Sequence, residues 1–126
     1  MTQKVKYGPD DHLDYNGSSL MGHVTTTYDN LVAHFGEPNC PPGDKTWNNW
    51  DLCFSVFDED GEDWEEVYVS IYDWKESHPD HSRLGEYRWH IGGFHGKEHP
   101  AHWLVTDLLH DRYATDKFYS FVREDQ

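Results

Sequence analysis

The chain has 126 residues, enough for one domain around one core. Its 24 acids against 10 lysines and arginines give a formal net charge of −14, which argues against direct binding of DNA or RNA, since phosphate contacts need Lys and Arg, and against docking on anionic membranes. Aromatics make up 16% of the chain, and rings that each bury roughly 150–250 Å² argue against a disordered acidic chain.

Residues 1–17 are polar, with Pro9 and Gly17 as breakers, and read as an irregular N-terminal arm. Residues 18–24 (SSLMGHV) predict a first short strand. Residues 26–35 predict a helix. Thr26 can cap it, Asp29 favours its first turn, and Tyr28, Leu31, Val32 and Phe35 share one face. Gly36 and Pro38 end it.

Residues 39–45 (NCPPGDK) form a loop. In residues 50–57 (WDLCFSVF), Trp50, Leu52, Phe54 and Val56 alternate to one side. After the turn at 58–63 (DEDGED), residues 66–74 return with Val67, Val69 and Ile71 inward, so the pair predicts a β-hairpin. Residues 86–94 predict a third meander strand with Tyr87, Trp89 and Ile91 inward.

Pro100 opens a second helix that runs to about Tyr113, with Ala101, Leu104, Val105, Leu108 and Leu109 as its buried stripe. Residues 114–126 add a short helical turn, with Phe118, Phe121 and Val122 packing back. The order β-α-β-β-β-α fits a single α+β domain over residues 1–126: an antiparallel β-meander sheet with two helices packed on one face.

The run T-x-x-x-L-V-x-x-F-G-x-P and the aromatic meander after it, residues 26–74, resemble the helix-then-sheet unit of the BamE-like and β-lactamase-inhibitor-protein families. Size, acidity and the phrases VSIYDWK and YRWHIGG are similar to small acidic bacteriophage-encoded proteins of unknown function. That second resemblance implies the cytoplasm of an infected bacterial host. No apolar run of about 18 residues and no signal-peptide core are visible, which agrees. Cys40 and Cys53 form no CxxC pair and are expected as free thiols. Cys53, beside Phe54, is expected to act as a small core hydrophobe.

The densest feature is acidic. Asp58, Glu59, Asp60, Glu62, Asp63, Glu65 and Glu66 crowd around Trp64, and Asp73 and Glu76 follow. Alternate strand residues lie about 6.6 Å apart, comparable with phosphates along a DNA strand. Such a hairpin can offer charge rows to a DNA-binding protein, or it can be a solvated hairpin end that resists edge pairing. A calcium loop starting at Asp58 fails: the sixth position is Asp63 rather than Gly, and the twelfth is Val69 rather than Glu.

Ten histidines form the second feature. His90, His95, His99 and His102 are candidate metal ligands, although no known metal-binding spacing is present. Full protonation of the ten would move the formal charge from −14 to about −4. The third feature is six tryptophans, too many to be fully interior in so small a core, so that one or two exposed ones can anchor an interface or equally stack a nucleotide base. Motifs for a serine hydrolase, a P-loop or a dinucleotide site are absent from the sequence.

The leading expectation is an acidic, phage-type inhibitor with no cofactor. It would occlude a basic nucleic-acid-binding site of a host protein, as a DNA mimic does, through Asp58–Glu66, Asp73 and Glu76. The rival is a histidine-rich metal-dependent or nucleotide-type small-molecule-binding protein. A third reading is an assembly protein that forms homo-oligomers.

Overall fold

In the computed structural model, residues 3–10, 18–42, 45–58, 60–109 and 119–123 are described. They form β1 (Gln3–Pro9), β2 (Ser19–Thr27), α1 (Tyr28–Phe35), β3 (Asn49–Phe57), β4 (Trp64–Tyr72), β5 (Glu86–Gly93), α2 (Ala101–Leu109) and β6 (Tyr119–Arg123). One six-stranded sheet takes all the strands in the order β2-β5-β4-β3-β1-β6. The fold is a single α+β domain, as the patterning predicts. The sheet, however, is mixed: β1 and β6 run parallel, while the other neighbours are antiparallel.

The departures from expectation lie at the chain ends and at β5. The supposed arm contains β1, whose alternation is short but real. Val5 and Tyr7 are buried, while Lys4 and Lys6 point to the other side. Val5 lies opposite Val56 of β3 and Tyr7 opposite Phe54. Pro9 closes the strand, where its missing N–H is tolerated.

Residues 119–123 are a strand rather than a helical turn. Phe121 packs against the core, and Val122 is exposed on the opposite face. Phe118, the rest of 114–118 and 124–126 lie outside the described residues, as do 110–113 of the second predicted helix. Strand β5 is only marginally a meander partner of β4, pairing over three positions. Its main partner is β2, from Ser19–Gly93 to Thr27–Glu86, with a register shift between Leu20 and Gly22.

Helix α1 begins one residue later than its sequence cap suggests. Thr27 is the N-cap and accepts from the Asn30 amide at 3.1 Å. Thr26 stays in β2, and its hydroxyl accepts from the Asn30 side chain. Gly36 stops the helix with φ of 82°, a left-handed value that favours glycine, and its N–H donates to Val32 O. Before α2, the Pro100 carbonyl accepts from Leu104. The buried stripe of α2 is the predicted one.

Both helices cover the same face of the sheet. The inner rows pair across β3 and β4 as Trp50–Ile71, Leu52–Val69 and Phe54–Val67. Trp50 and Trp89 meet edge-to-face at 5.4 Å, and both are fully buried. Their ring N–H groups donate to the carbonyls flanking α1: Trp50 to Gly36 O and Trp89 to Thr26 O. Tyr7, Phe35 and Phe54 continue the core toward β1. Cys40 and Cys53 are not joined in a disulfide. Cys53 is not in the core: with Leu52 and Phe54 turned inward, it points to the other face, opposite Tyr68. Among the described residues, no helix is long and apolar enough to cross a membrane.

Candidate functional site

Among the described residues, the two helices leave the second face of the sheet without a helical cover. Its rows are set by the parity that buries the core. If Trp50, Leu52, Phe54 and Val56 face the helices, then Asp51, Cys53, Ser55 and Phe57 face away, with Trp64, Glu66, Tyr68, Ser70 and Tyr72 beside them on β4. The acidic hairpin turn closes one end of this face.

That turn has a defined shape. Asp58 N donates to Asp63 O at 2.8 Å, and Gly61 N donates to Asp58 O at 2.9 Å. The Asp60 carboxylate accepts from Glu62 N at 2.9 Å, a local side-chain turn. Gly61 takes φ of 75° at the tip. Asp58, Asp60, Glu62 and Asp63 are exposed, and Trp64 is 54% exposed. The Trp64 ring leans on Phe57 at 5.7 Å, and Lys6 Nζ lies 5.6 Å from the centre of the Phe57 ring. Among the described residues, no Lys or Arg forms an ion pair with any of these carboxylates.

The remaining predicted acids divide. Glu66 lies on the helix-free face and accepts from the Tyr68 hydroxyl; this bond, reinforced by burial, pushes the Tyr68 phenol up to about 12. Glu65 turns to the helix side, where its two oxygens accept from the backbone N–H groups of Glu98 and His99 just before α2. Glu76 is half-buried, accepts from the Tyr87 hydroxyl at 2.9 Å and pairs with His81 at 3.4 Å. Glu59 lies outside the described residues.

Asp73 leaves the outward set altogether. It is fully buried. Its carboxylate accepts from Trp47 N at 2.7 Å, Asn48 N at 3.1 Å, Asn48 Nδ2 at 3.0 Å and Ser82 Oγ at 2.9 Å. Arg83 in turn donates to Asn48 Oδ1. This network fastens the long β4–β5 connection to the start of β3. It also explains why Trp47 and Trp74, each 40% exposed, sit at that end of the sheet.

The four histidines do not converge. His90 lies on the helix-free face, stacked on Tyr72 at 5.4 Å and edge-on to His23 at 4.5 Å. His102 lies on α2 with its Cβ beside Gly22, on the opposite face. A single ion therefore cannot take both. Among the described residues, no group of three or more His, Cys, Asp or Glu side chains is placed to hold a metal. Burial, helped by Arg88, lowers the His23 imidazole below its usual range; burial, then His23 and Arg88, does the same for His90.

The sequence reading missed His23, Tyr68, Ser70, Tyr72 and Gly92 as a surface. Its signal was the outer half of the same alternation that marked the core. On this face His23, His90, Tyr72 and Trp74 form a chain of ring contacts across β2, β5 and β4.

No protein family, curated protein or solved structure matches the chain. The functional reading therefore rests on the chemistry of these surfaces.

Proposed function

We propose that the chain is a binding protein whose acidic hairpin end occludes a basic, nucleic-acid-binding site on a host protein. The observation that carries this reading is a hydrogen-bonded turn that presents Asp58, Asp60, Glu62 and Asp63 without a Lys or Arg partner among the described residues, next to a half-exposed Trp64. The charges supply attraction over distance and the rate of encounter. The indole supplies the contact that sets residence time, because buried aromatic anchors dominate interface energy. Hydrogen bonds within the turn reduce the entropy lost on docking. Glu66 extends the charge along the strand, whereas Asp73 and Glu65 have no part in it.

The test is capture of host proteins on the immobilised full chain at low and high salt, followed by competition with duplex DNA. The reading expects a basic DNA-binding protein that is released both by salt and by DNA. A variant with Asp60, Glu62, Asp63 and Glu66 changed to Asn or Gln should fold and lose the partner. Retention of the partner by that variant, or a partner indifferent to DNA, refutes the reading.

A further inference from the structure

At the far end of the same face, away from the acidic turn, the sheet carries a cleft of about 350 Å³. Its floor is Gly92. A Cβ there would meet Ser70 Oγ at 2.5 Å and the Tyr72 ring at 3.4 Å, so only glycine leaves that space open. One wall is the β2 terminus, with Ser19 and Leu20, where the register shifts. The other wall is the loop at Cys40 and Pro41, which two asparagines fix to the sheet. Asn49 Nδ2 donates to Pro41 O at 3.2 Å and to Thr46 Oγ1 at 2.9 Å. Asn39 Nδ2 donates to Asp51 O at 2.9 Å, and its Oδ1 accepts from Asp51 N at 2.8 Å. The rim is thus built before any ligand arrives.

The lining chemistry is specific. It combines the hydroxyls of Ser18, Ser19, Thr46 and Ser70, the carboxylate of Asp51 and the ring of Tyr72. No Lys or Arg is among the described lining residues, and the one charged side chain among them, Asp51, would repel a phosphate or carboxylate ligand. We infer that this cleft binds a neutral or cationic, ring-shaped polyhydroxyl compound of the sugar or amino-sugar class. The apolar face of the ring would lie on Tyr72 and its hydroxyls would meet Ser19, Ser70 and Asp51. Tyr72 is itself held by stacking on His90, which makes it a firm platform. This inference is independent of the acidic hairpin and of any protein partner.

The experiment is an amide-resolved NMR titration of the full chain with three probes: glucosamine, glucose and glucose 6-phosphate. Saturable shifts are expected at Ser19, Ser70 and Gly92 with glucosamine, weaker ones with glucose and none with glucose 6-phosphate. Asp51→Asn should remove most of the preference for glucosamine over glucose, a loss of roughly tenfold, because a charge-assisted hydrogen bond becomes a neutral one. Tyr72→Ala should abolish binding of both; because it also removes the ring contacts with His90 and Trp74, its fold is checked by circular dichroism, and the wild-type titration decides on its own. Absence of saturable shifts with both uncharged and cationic probes, shifts centred elsewhere, or glucose 6-phosphate binding as tightly as glucosamine would overturn the inference.

Discussion

Replacing Asp73 separates a structural role from a role in binding. Its carboxylate is buried and accepts four hydrogen bonds. After Asp73→Ala, two of the donors keep a partner: Asn48 Nδ2 retains Pro79 O at 3.1 Å and Ser82 Oγ at 2.9 Å, and Ser82 Oγ retains Pro79 O at 3.5 Å. The N–H groups of Trp47 and Asn48 lose the acceptor that holds them. A hydrogen bond to a charged group contributes about 1.5–3 kcal/mol, and two such losses predict destabilisation of about 3–6 kcal/mol. Domains of this size are stable by roughly 5–15 kcal/mol, so the variant should fold but unfold early. With a urea slope of about 1–3 kcal/mol/M, the midpoint falls by roughly 2 M. Asp73→Asn keeps one acceptor for the backbone pair but sets its amide against Asn48 Nδ2, and it should lose about half as much. A midpoint shift under about 0.5 M for Asp73→Ala would refute the network as a structural fastening.

Other outcomes follow from single contacts. Gly92→Ala should cost about 1–3 kcal/mol, as an overpacked site does, and Ser70→Ala in the same chain should restore most of it, since Ser70 Oγ is the obstructing atom; thermal unfolding of the two variants measures both. His23 and His90 have imidazoles below the usual range in the fold, so the unfolded chain binds more protons. Stability is then full above about pH 6.5 and declines as pH falls toward the lowered values. The pair faces Arg88, Tyr72 and Trp74, and His23→Gln with His90→Gln should flatten the urea midpoint between about pH 5 and 7. Glu66→Gln should bring the Tyr68 phenol down from about 12, because the carboxylate hydrogen bond is the largest cause of its rise; ultraviolet titration of the phenols reads it. Val5→Ala should destabilise by about 1–3 kcal/mol, because Val5 is fully buried in a strand between β3 and β6 rather than in an arm.

The interior strands were legible because their period is strong. Trp50 through Val56 and Val67 through Ile71 name their own buried face. The same arithmetic extends further than the core. Glu65 and Asp73 stand two residues before Val67 and two after Ile71, so parity places both on the helix side, where Glu65 steadies the approach to α2 and Asp73 is enclosed. Composition pointed the other way, since carboxylates read as surface. What was not legible is non-local. The pairing of β1 with β6 joins residues near the two chain ends, and neither segment is long enough to declare its period alone. Phe121 and Val122 sit at helical as well as strand spacing with Phe118, and only the neighbouring strand decides between them. The candidate surfaces were half visible: the acidic turn by its charge, and the cleft not at all, because it is assembled from β2, the loop at Cys40 and Pro41, β3, β4 and β5.

The two surfaces share a face but not a neighbourhood. From Asp51 at the cleft to Phe57 at the turn is six residues along β3, about 20 Å at the rise of an extended strand. At physiological salt a charge is screened over about 8 Å. Under the proposed function, the carboxylates of the turn would act on a docking protein without greatly altering the potential at the cleft. Occupants of the two surfaces should bind independently, so a sugar that fills the cleft should leave salt-sensitive capture of a partner unchanged. If glucosamine at saturating concentration released the partner, the two surfaces would have to be one extended interface, with Tyr72 as part of its contact area rather than the platform of a separate site.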